Sequence, residues 1–363
     1  MSKKVVHVLG AMNAGGVEAW LMTLLRNTDK DLIQHEFIVH YKEKAFYDDE
    51  IYRLGSQIHH CHKSSNLLIY IIDLYKNFKK IKPDVVHSHV HTFTGLVLLI
   101  AFLAGVKVRV AHSHSDTRVK DSSANFLRKS YLKLMRYFIS KFSNKKLAVS
   151  QLAAECLYGD NWKVDKRVSI IFCGVDEKKF DNKYYNYKMR KELGFPQDSY
   201  IIGHVGRFCE PKNHEFLIDV FYNIRKVRKD AYLLLVGDGE LRTQIEKKVQ
   251  ELNLNNFVKF LGLRKDVNSI MLSSMDILAF PSLWEGLPIT LIEAQLAKLH
   301  VIASSNITNM CDLGLVEFVE LDLQKWITIL VDFNKLKENY DFEKSKNFMI
   351  SNNISILKNI YQV

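Results

Sequence analysis

Seven residues separate Glu285 from Glu293 inside the run PSLWEGLPITLIEAQLAK, Pro281 to Lys298. An apolar strand, Asp276–Phe280, leads into a loop of acid, glycine and proline, and a helix is expected to open with Glu293 near its first turn. One carboxylate then lies on the loop and the other on the helix. The first N–H groups of that helix have no helical partner and favour an anion. Two carboxylates beside such a helix start suit a ligand carrying both hydroxyls and phosphates, as a nucleotide sugar does.

Other polar groups cluster where strands are expected to end. Arg207 and Lys212 share the loop Val205–Asn213, close enough for both to reach one ligand. Two cations there would neutralise a diphosphate, most of all as it departs with growing charge; an inert charged loop is the plain alternative. The loop Gly10–Glu18 holds Gly15 and Gly16, where backbone can approach a phosphate or sugar closely. It lacks the GxGxxG spacing of a dinucleotide site and also reads as a simple strand–helix turn. Histidines alternate at two strand ends, His87, His89 and His91, then His112 and His114, each set on one face while the strand lasts. HxH is a zinc spacing, yet no carboxylate or cysteine completes a set. Acid–base or hydroxyl contacts, or a structural role for most of the five, fit better.

These residues need elements to hold them. Strands at Val5–Leu9, Glu36–His40, Asp84–His87, Lys107–Ala111, Lys146–Val149 and Val168–Phe172 alternate with helical stretches, and the pattern restarts at Tyr200–Val205, Ala231–Val236, Val258–Leu261, Asp276–Phe280 and Val301–Ser304. Such alternation predicts α/β architecture with parallel sheets covered on both faces. A polar Tyr/Asn-rich stretch over 181–197, with Gly194 and Pro196, reads as the linker. The expected division is 1–180, 181–341 and a helical C-terminal segment 342–363.

The chain has 363 residues, 47% hydrophobic and 25% charged, which suits two globular domains. Its longest apolar run, Gly95–Val106, is too short to span a bilayer, and the first strand starts too near Met1 for a signal peptide. Five scattered cysteines, Cys61, Cys156, Cys173, Cys209 and Cys311, are expected as free thiols in a reducing cytoplasm. The net charge of +11 is uneven: residues 1–180 hold 28 Lys+Arg against 17 Asp+Glu, and the remainder holds 23 of each. Within that half, Asn125–Lys146 carries seven basic residues and no acid. Drawn as a helix, Leu127, Tyr131, Leu134, Met135, Phe138 and Phe142 fall on one side and Arg128, Lys129, Lys133 and Arg136 on another. This pattern suits an anionic membrane surface, or an ordinary helix burying its apolar side. Nucleic acid is not expected, since no recognition motif or stacking platform accompanies the charge.

GGVE at 15–18, PDVVHSH at 83–89, AHSH at 111–114, GRFCEPKN at 206–213, LVGDGEL at 235–241, FLGLRKDV at 260–267 and the two glutamates of 285–293 occur in this order. Together they resemble the retaining glycosyltransferases of family 4, and most closely the bacterial exopolysaccharide and capsule enzymes. The resemblance implies the GT-B fold, two Rossmann-like parallel-sheet domains facing a cleft. It implies that Glu293 binds the nucleotide ribose and Glu285 lies against the donor sugar. Arg207 and Lys212 would hold the diphosphate, helped by backbone at Gly15, Gly16, Gly286, Leu287 and Leu291, with Arg264 near the base. His112 matches a histidine that contacts donor sugar and acceptor, with His89 and His114 on the acceptor side. The family usually needs no metal and most often uses uridine diphosphate. The segment 342–363 would cross back to the first domain. One departure is Lys298-Leu299-His300, where relatives commonly have glycine and proline.

The expected activity is transfer of a sugar, with retention by front-face attack, from a nucleotide donor to a lipid-linked or growing glycan. The enzyme would sit in the cytoplasm on the inner face of the plasma membrane. A non-catalytic partner of another transferase and a nucleotide-sugar isomerase are the competing readings.

Overall fold

The computed structural model of the protein describes residues 2–61, 66–118, 125–332 and 340–362. The chain divides into two units, Met1–Gly174 with Ile350–Val363, and Val175–Met349.

The first unit is built on a seven-stranded sheet in the order β3-β2-β1-β4-β5-β6-β7. Its strands are β1 (Lys3–Leu9), β2 (Ile33–Val39), β3 (Ile58–His60), β4 (Val85–Ser88), β5 (Val108–Ser113), β6 (Lys145–Ala148) and β7 (Val168–Ile170), all paired in parallel. Period-two alternation sorts their side chains. Val6, Val8, Val86 and Ala111 join the core formed with helices Leu67–Ile81, Thr94–Leu103 and Phe126–Phe142. His7, His87 and His112 point to the other face, where Trp20 of helix Gly16–Asn27 and Tyr361 of helix Ile350–Tyr361 meet them. Trp20 Nε1 donates to Asn353 Oδ1 at 2.8 Å, and the Gly174 N–H donates to the same oxygen at 2.8 Å. One buried amide thus fixes the last helix onto the first unit.

The second unit has six parallel strands in the order β10-β9-β8-β11-β12-β13. They are β8 (Tyr200–Val205), β9 (Ala231–Val236), β10 (Val258–Phe260), β11 (Ile277–Phe280), β12 (His300–Ser304) and β13 (Val316–Val319). In each sheet the order reverses at one point, between β1 and β4 and between β8 and β11. Ligands of open α/β sheets settle beyond the carboxyl ends of the strands at such points.

Four differences from the sequence reading have physical causes. The edge strands β3 (IHH) and β13 (VEFV) carry polar residues in short spans, so neither stands out as an apolar run. The stretch 181–197 belongs to the second unit, because Met189, Leu193 and Phe195 are buried and Arg190 Nη2 bonds Asp276 Oδ1 at 2.6 Å. The segment 342–361 is broken: helix Phe342–Ser345 and a 3₁₀ turn, Lys346–Phe348, precede Ile350–Tyr361. On helix Phe126–Phe142 the buried stripe is Leu132, Met135 and Ile139, whereas Leu127 and Leu134 are exposed. Among the described residues all five cysteines are free, and no helix is long and apolar enough to cross a membrane.

Candidate functional sites

In the second unit, the carboxyl ends of β8 and β11 carry the loops that hold most of the expected residues. The Leu283 N–H donates to Pro211 O at 2.8 Å and ties the loops together. Lys212 Nζ then lies 2.6 Å from Glu285 Oε1, with side chains only 17% and 15% exposed. The same ammonium sits 4.6 Å from the centroid of the Phe280 ring. Carboxylate and ring together hold the cation in place, and an ammonium has three donors, so it can serve a phosphate as well.

Arg207 is placed differently. Its Nη2 meets Glu240 Oε2 at 2.9 Å, but the two side chains are 68% and 56% exposed. Such a pair contributes little and holds its geometry weakly. Arg264 pairs with its neighbour Asp266 through two bonds of 2.8 and 2.6 Å, and that guanidinium holds the Asp266 carboxyl below its ordinary range. Among the described residues no contact joins Arg264 to the Lys212–Glu285 pair. At Gly237, φ is +139° and a Cβ would lie 2.0 Å from Gly206 O. Only glycine lets the loops after β8 and β9 meet backbone to backbone.

The helix beyond β11 runs Ile289–Leu296, with Pro288 before it and no side-chain cap. The N–H groups of Gly286 and Leu287 make no backbone bond among the described residues and border Glu285. Leu291 does other work: its N–H donates to Pro288 O at 3.0 Å and its side chain is fully buried. Glu293 sits in the second turn, and burial pushes its carboxyl up to about 7, with the Lys179 charge acting the other way. Hydroxyls donating to that carboxylate would stabilise its charged form. Two groups beside these loops carry no motif in the sequence. Ser282 Oγ is buried without a partner, and His204, its pKa lowered to about 4 by burial, donates from Nδ1 to Ala279 O at 2.8 Å.

In the first unit, Gly15 precedes helix Gly16–Asn27, which also lacks a side-chain cap. A Cβ on Gly15 would lie 2.3 Å from Glu18 Oε2, so the acid of the first turn folds back over the loop, where burial raises its pKa. On the sheet face behind it, His89 bonds His7 at 3.0 Å and His114 at 2.9 Å. His112 bonds His87 at 3.1 Å, and His87 reaches the Tyr361 hydroxyl at 2.7 Å. The structure thus brings His89, His112 and His114 together, with Trp20 packed edge-on against His112. Burial first, and neighbouring histidines second, hold His87, His89 and His112 well below 6.5, and His114 falls to about 3. These rings are neutral at pH 7. His91 turns away toward Thr117 and Cys156. His7, Trp20 and Tyr361 were missed in the sequence because each reads as an ordinary core position of its strand or helix.

The sequence matches the family described as Glycosyltransferase Family 4 over residues 14–179 and that described as Glycosyl transferases group 1 over 186–313. It is 30% identical to the capsular polysaccharide biosynthesis glycosyltransferase CapH of Staphylococcus aureus, over 99% of this chain and 98% of the relative. It is 28% identical, over 81% of this chain and 77% of the relative, to the UDP-Gal:alpha-D-GlcNAc-diphosphoundecaprenol alpha-1,3-galactosyltransferase of Escherichia coli. The structure of Anabaena Alr3699/HepE in complex with UDP and glucose superimposes with a TM-score of 0.79 at 17% identity, covering 99% of this chain and all of the other. At that identity the likeness speaks for the fold, GT-B with two parallel-sheet domains.

Proposed function

The chain belongs to family 4 of the glycosyltransferases, and on that footing we propose that it is a retaining enzyme moving a sugar from a uridine diphosphate donor to a lipid-linked glycan. The observation that carries this reading is the sheltered Lys212–Glu285 pair at the β8–β11 reversal, beside the N–H groups of Gly286 and Leu287. Lys212 and these N–H groups receive the diphosphate, with Arg207 as an outer cation. Glu285 turns to the hydroxyls of the donor sugar and Glu293 to those of the ribose. Arg264 lies toward the base, and the backbone at Gly15 and Gly16 offers further N–H groups to the donor. His112 Nε2, buried and unpartnered, suits a sugar hydroxyl; His89 and His114 serve the acceptor.

Chemistry follows from charge. As the glycosidic C–O bond breaks, negative charge grows on the departing diphosphate, and Lys212 with the helix start stabilises it. The acceptor oxygen forms the new bond on the same face, and its proton passes to the departing phosphate oxygen. The cations on these loops meet the diphosphate charge, so this reading assigns the donor no metal. The uridine donor and the lipid carrier are supported by the name of the E. coli relative and by the UDP in the HepE structure. Incubation with UDP-sugars tests the reading. Without acceptor, slow release of UDP and free sugar is expected, and with a lipid-linked acceptor a glycoside. An epimerised UDP-sugar would mean an isomerase, and unchanged donor in both incubations a non-catalytic partner.

Peripheral attachment to the inner face of the plasma membrane is the second part of the proposal. Helix Phe126–Phe142 leaves Phe126 and Leu127 81% and 77% exposed beside Arg128, Lys129 and Lys133. Helix Thr94–Leu103 packs beside it and helix Leu67–Ile81 beside that one in turn; Leu67–Ile81 exposes Leu68, Ile69 and Ile72, with Lys76, Lys79 and Lys80 on the same helix. Apolar tips would enter the acyl boundary while the cations meet anionic headgroups, each worth about 1 kcal/mol. In vesicle flotation, the combined Phe126→Ser and Leu127→Ser change should weaken binding to anionic vesicles at least about tenfold. Equal binding of wild type to zwitterionic vesicles would contradict the electrostatic part.

A further inference from the structure

Six histidines, His7, His35, His87, His89, His112 and His114, gather on one face of the first sheet, more than contacts to a sugar require. Two overlapping triads have ring nitrogens within 4.8 Å of one another, His7/His87/His89 and His89/His112/His114. Hydrogen bonding separates them. In the first triad every ring uses both nitrogens: His7 with His35 at 2.9 Å and His89 at 3.0 Å, His87 with His112 and Tyr361, His89 with His7 and His114. In the second, His112 Nε2 and His114 Nδ1 are buried with no hydrogen-bond partner. A buried orphan of this kind is destabilising unless a ligand takes it up. His89 Nδ1 and His114 Nε2 stand 2.9 Å apart. Two nitrogens bound at tetrahedral angle to one zinc ion are about 3.3 Å apart, given Zn–N bonds of about 2.0–2.1 Å.

We propose that His89, His112 and His114 bind one divalent ion of the zinc class, His89 through Nδ1, His112 through Nε2 and His114 through either ring nitrogen. The surrounding hydrogen bonds fit that assignment. With Nδ1 on the ion, His89 keeps its proton on Nε2 and donates to His7 Nδ1, which donates from Nε2 to His35 Nδ1. With Nε2 on the ion, His112 donates from Nδ1 to His87 Nε2, and His87 donates from Nδ1 to the Tyr361 hydroxyl oxygen. Each ring in both relays then carries one proton; His35 Nε2 ends unpaired, as does the nitrogen of His114 that the ion does not take. Ligating histidines almost always donate their other N–H in this way, which fixes tautomer and orientation. Three imidazole donors suit Zn²⁺, Co²⁺, Ni²⁺ or Cu²⁺, whereas Mg²⁺, Ca²⁺ and Mn²⁺ prefer oxygen.

The consequence for transfer rests on the function proposed above. His112 and His114 cannot hold an ion and meet a sugar at once, so the ion is an inhibitor and not a cofactor. Co²⁺ serves as the spectroscopic probe on the 363-residue chain, with Zn²⁺ uptake followed by calorimetry. One ion per chain is expected, with the visible bands of a low-coordinate cobalt site that Zn²⁺ erases and Mg²⁺ leaves alone. His112→Gln and His114→Gln should each weaken uptake at least about 100-fold, beyond the range of second-shell changes. UDP binding and thermal melting of both variants check that they are folded. A wild-type chain that takes up no zinc at micromolar ion, or gives only the spectrum of hydrated cobalt, overturns the site; so does uptake that both folded variants retain. Zn²⁺ should also suppress transfer reversibly by chelation. Zinc bound at these residues with transfer unchanged overturns the competition. A chain that transfers no sugar under any condition counts against the proposed function, and the cobalt spectrum still decides the site.

Discussion

Lys212→Ala is expected to lower kcat/KM for sugar transfer by about 10²–10³-fold, and Arg207→Ala by only about tenfold. Sequence spacing alone treats these cations as equals. Their surroundings do not. Lys212 is held at 2.6 Å by Glu285 and against Phe280, with little water around it. A fixed charge in a water-poor site stabilises a leaving group without reorganising as the reaction proceeds. Arg207 lies mostly in solvent, where screening and side-chain freedom weaken its effect. Initial rates with saturating and limiting donor measure the difference. Removing Lys212 also leaves the Glu285 carboxylate sheltered without its partner, so the double variant Lys212→Ala/Glu285→Gln separates the two causes. With Glu285→Gln alone as the reference, adding Lys212→Ala should still lower kcat/KM about 10²-fold if Lys212 acts on the diphosphate; no further loss would assign the damage to the orphaned carboxylate.

Glu293→Gln is expected to stabilise the donor-free protein at pH 8 while weakening UDP binding at least about tenfold. Burial raises the Glu293 carboxyl from 4.5 to about 7. The folded protein therefore holds this proton more tightly than the unfolded chain. The group favours folding fully below about 4.5, and that contribution is lost as pH rises through about 7. Glutamine has no proton to lose. The variant should thus melt higher than wild type above pH 7, by about 1–3 kcal/mol, with the gap closing toward pH 4.5. Melting curves across that range, with and without UDP, check both halves. A gap independent of pH would mean that Glu293 is not the titrating group, and unchanged UDP affinity would remove it from the ribose.

The sequence made the architecture and the position of the loop residues at the strand ends legible because both depend on local pattern. Apolar runs after polar turns marked most of the strands, and Glu285, Lys212 and the glycines fell at their carboxyl ends. What it could not mark was shelter. Arg207 and Lys212 differ only in what folds around them, and Leu291 looks available until its N–H is found on Pro288. Helix Phe126–Phe142 is doubly amphipathic, so a projection of its apolar residues mixes the stripe in the core with the exposed tips Phe126 and Leu127. The histidine relay required contacts between residues up to 274 positions apart, as between His87 and Tyr361. No periodicity within one strand reports such a contact.

The central claim, that this chain transfers sugar with retention from a UDP donor, is tested most directly by the anomeric configuration of the product. An α-linked UDP-sugar is incubated with the wild-type protein and a lipid-linked acceptor, and the new linkage is read from its proton coupling in NMR. An α-linked glycoside is the predicted result; a β-linked one would contradict it.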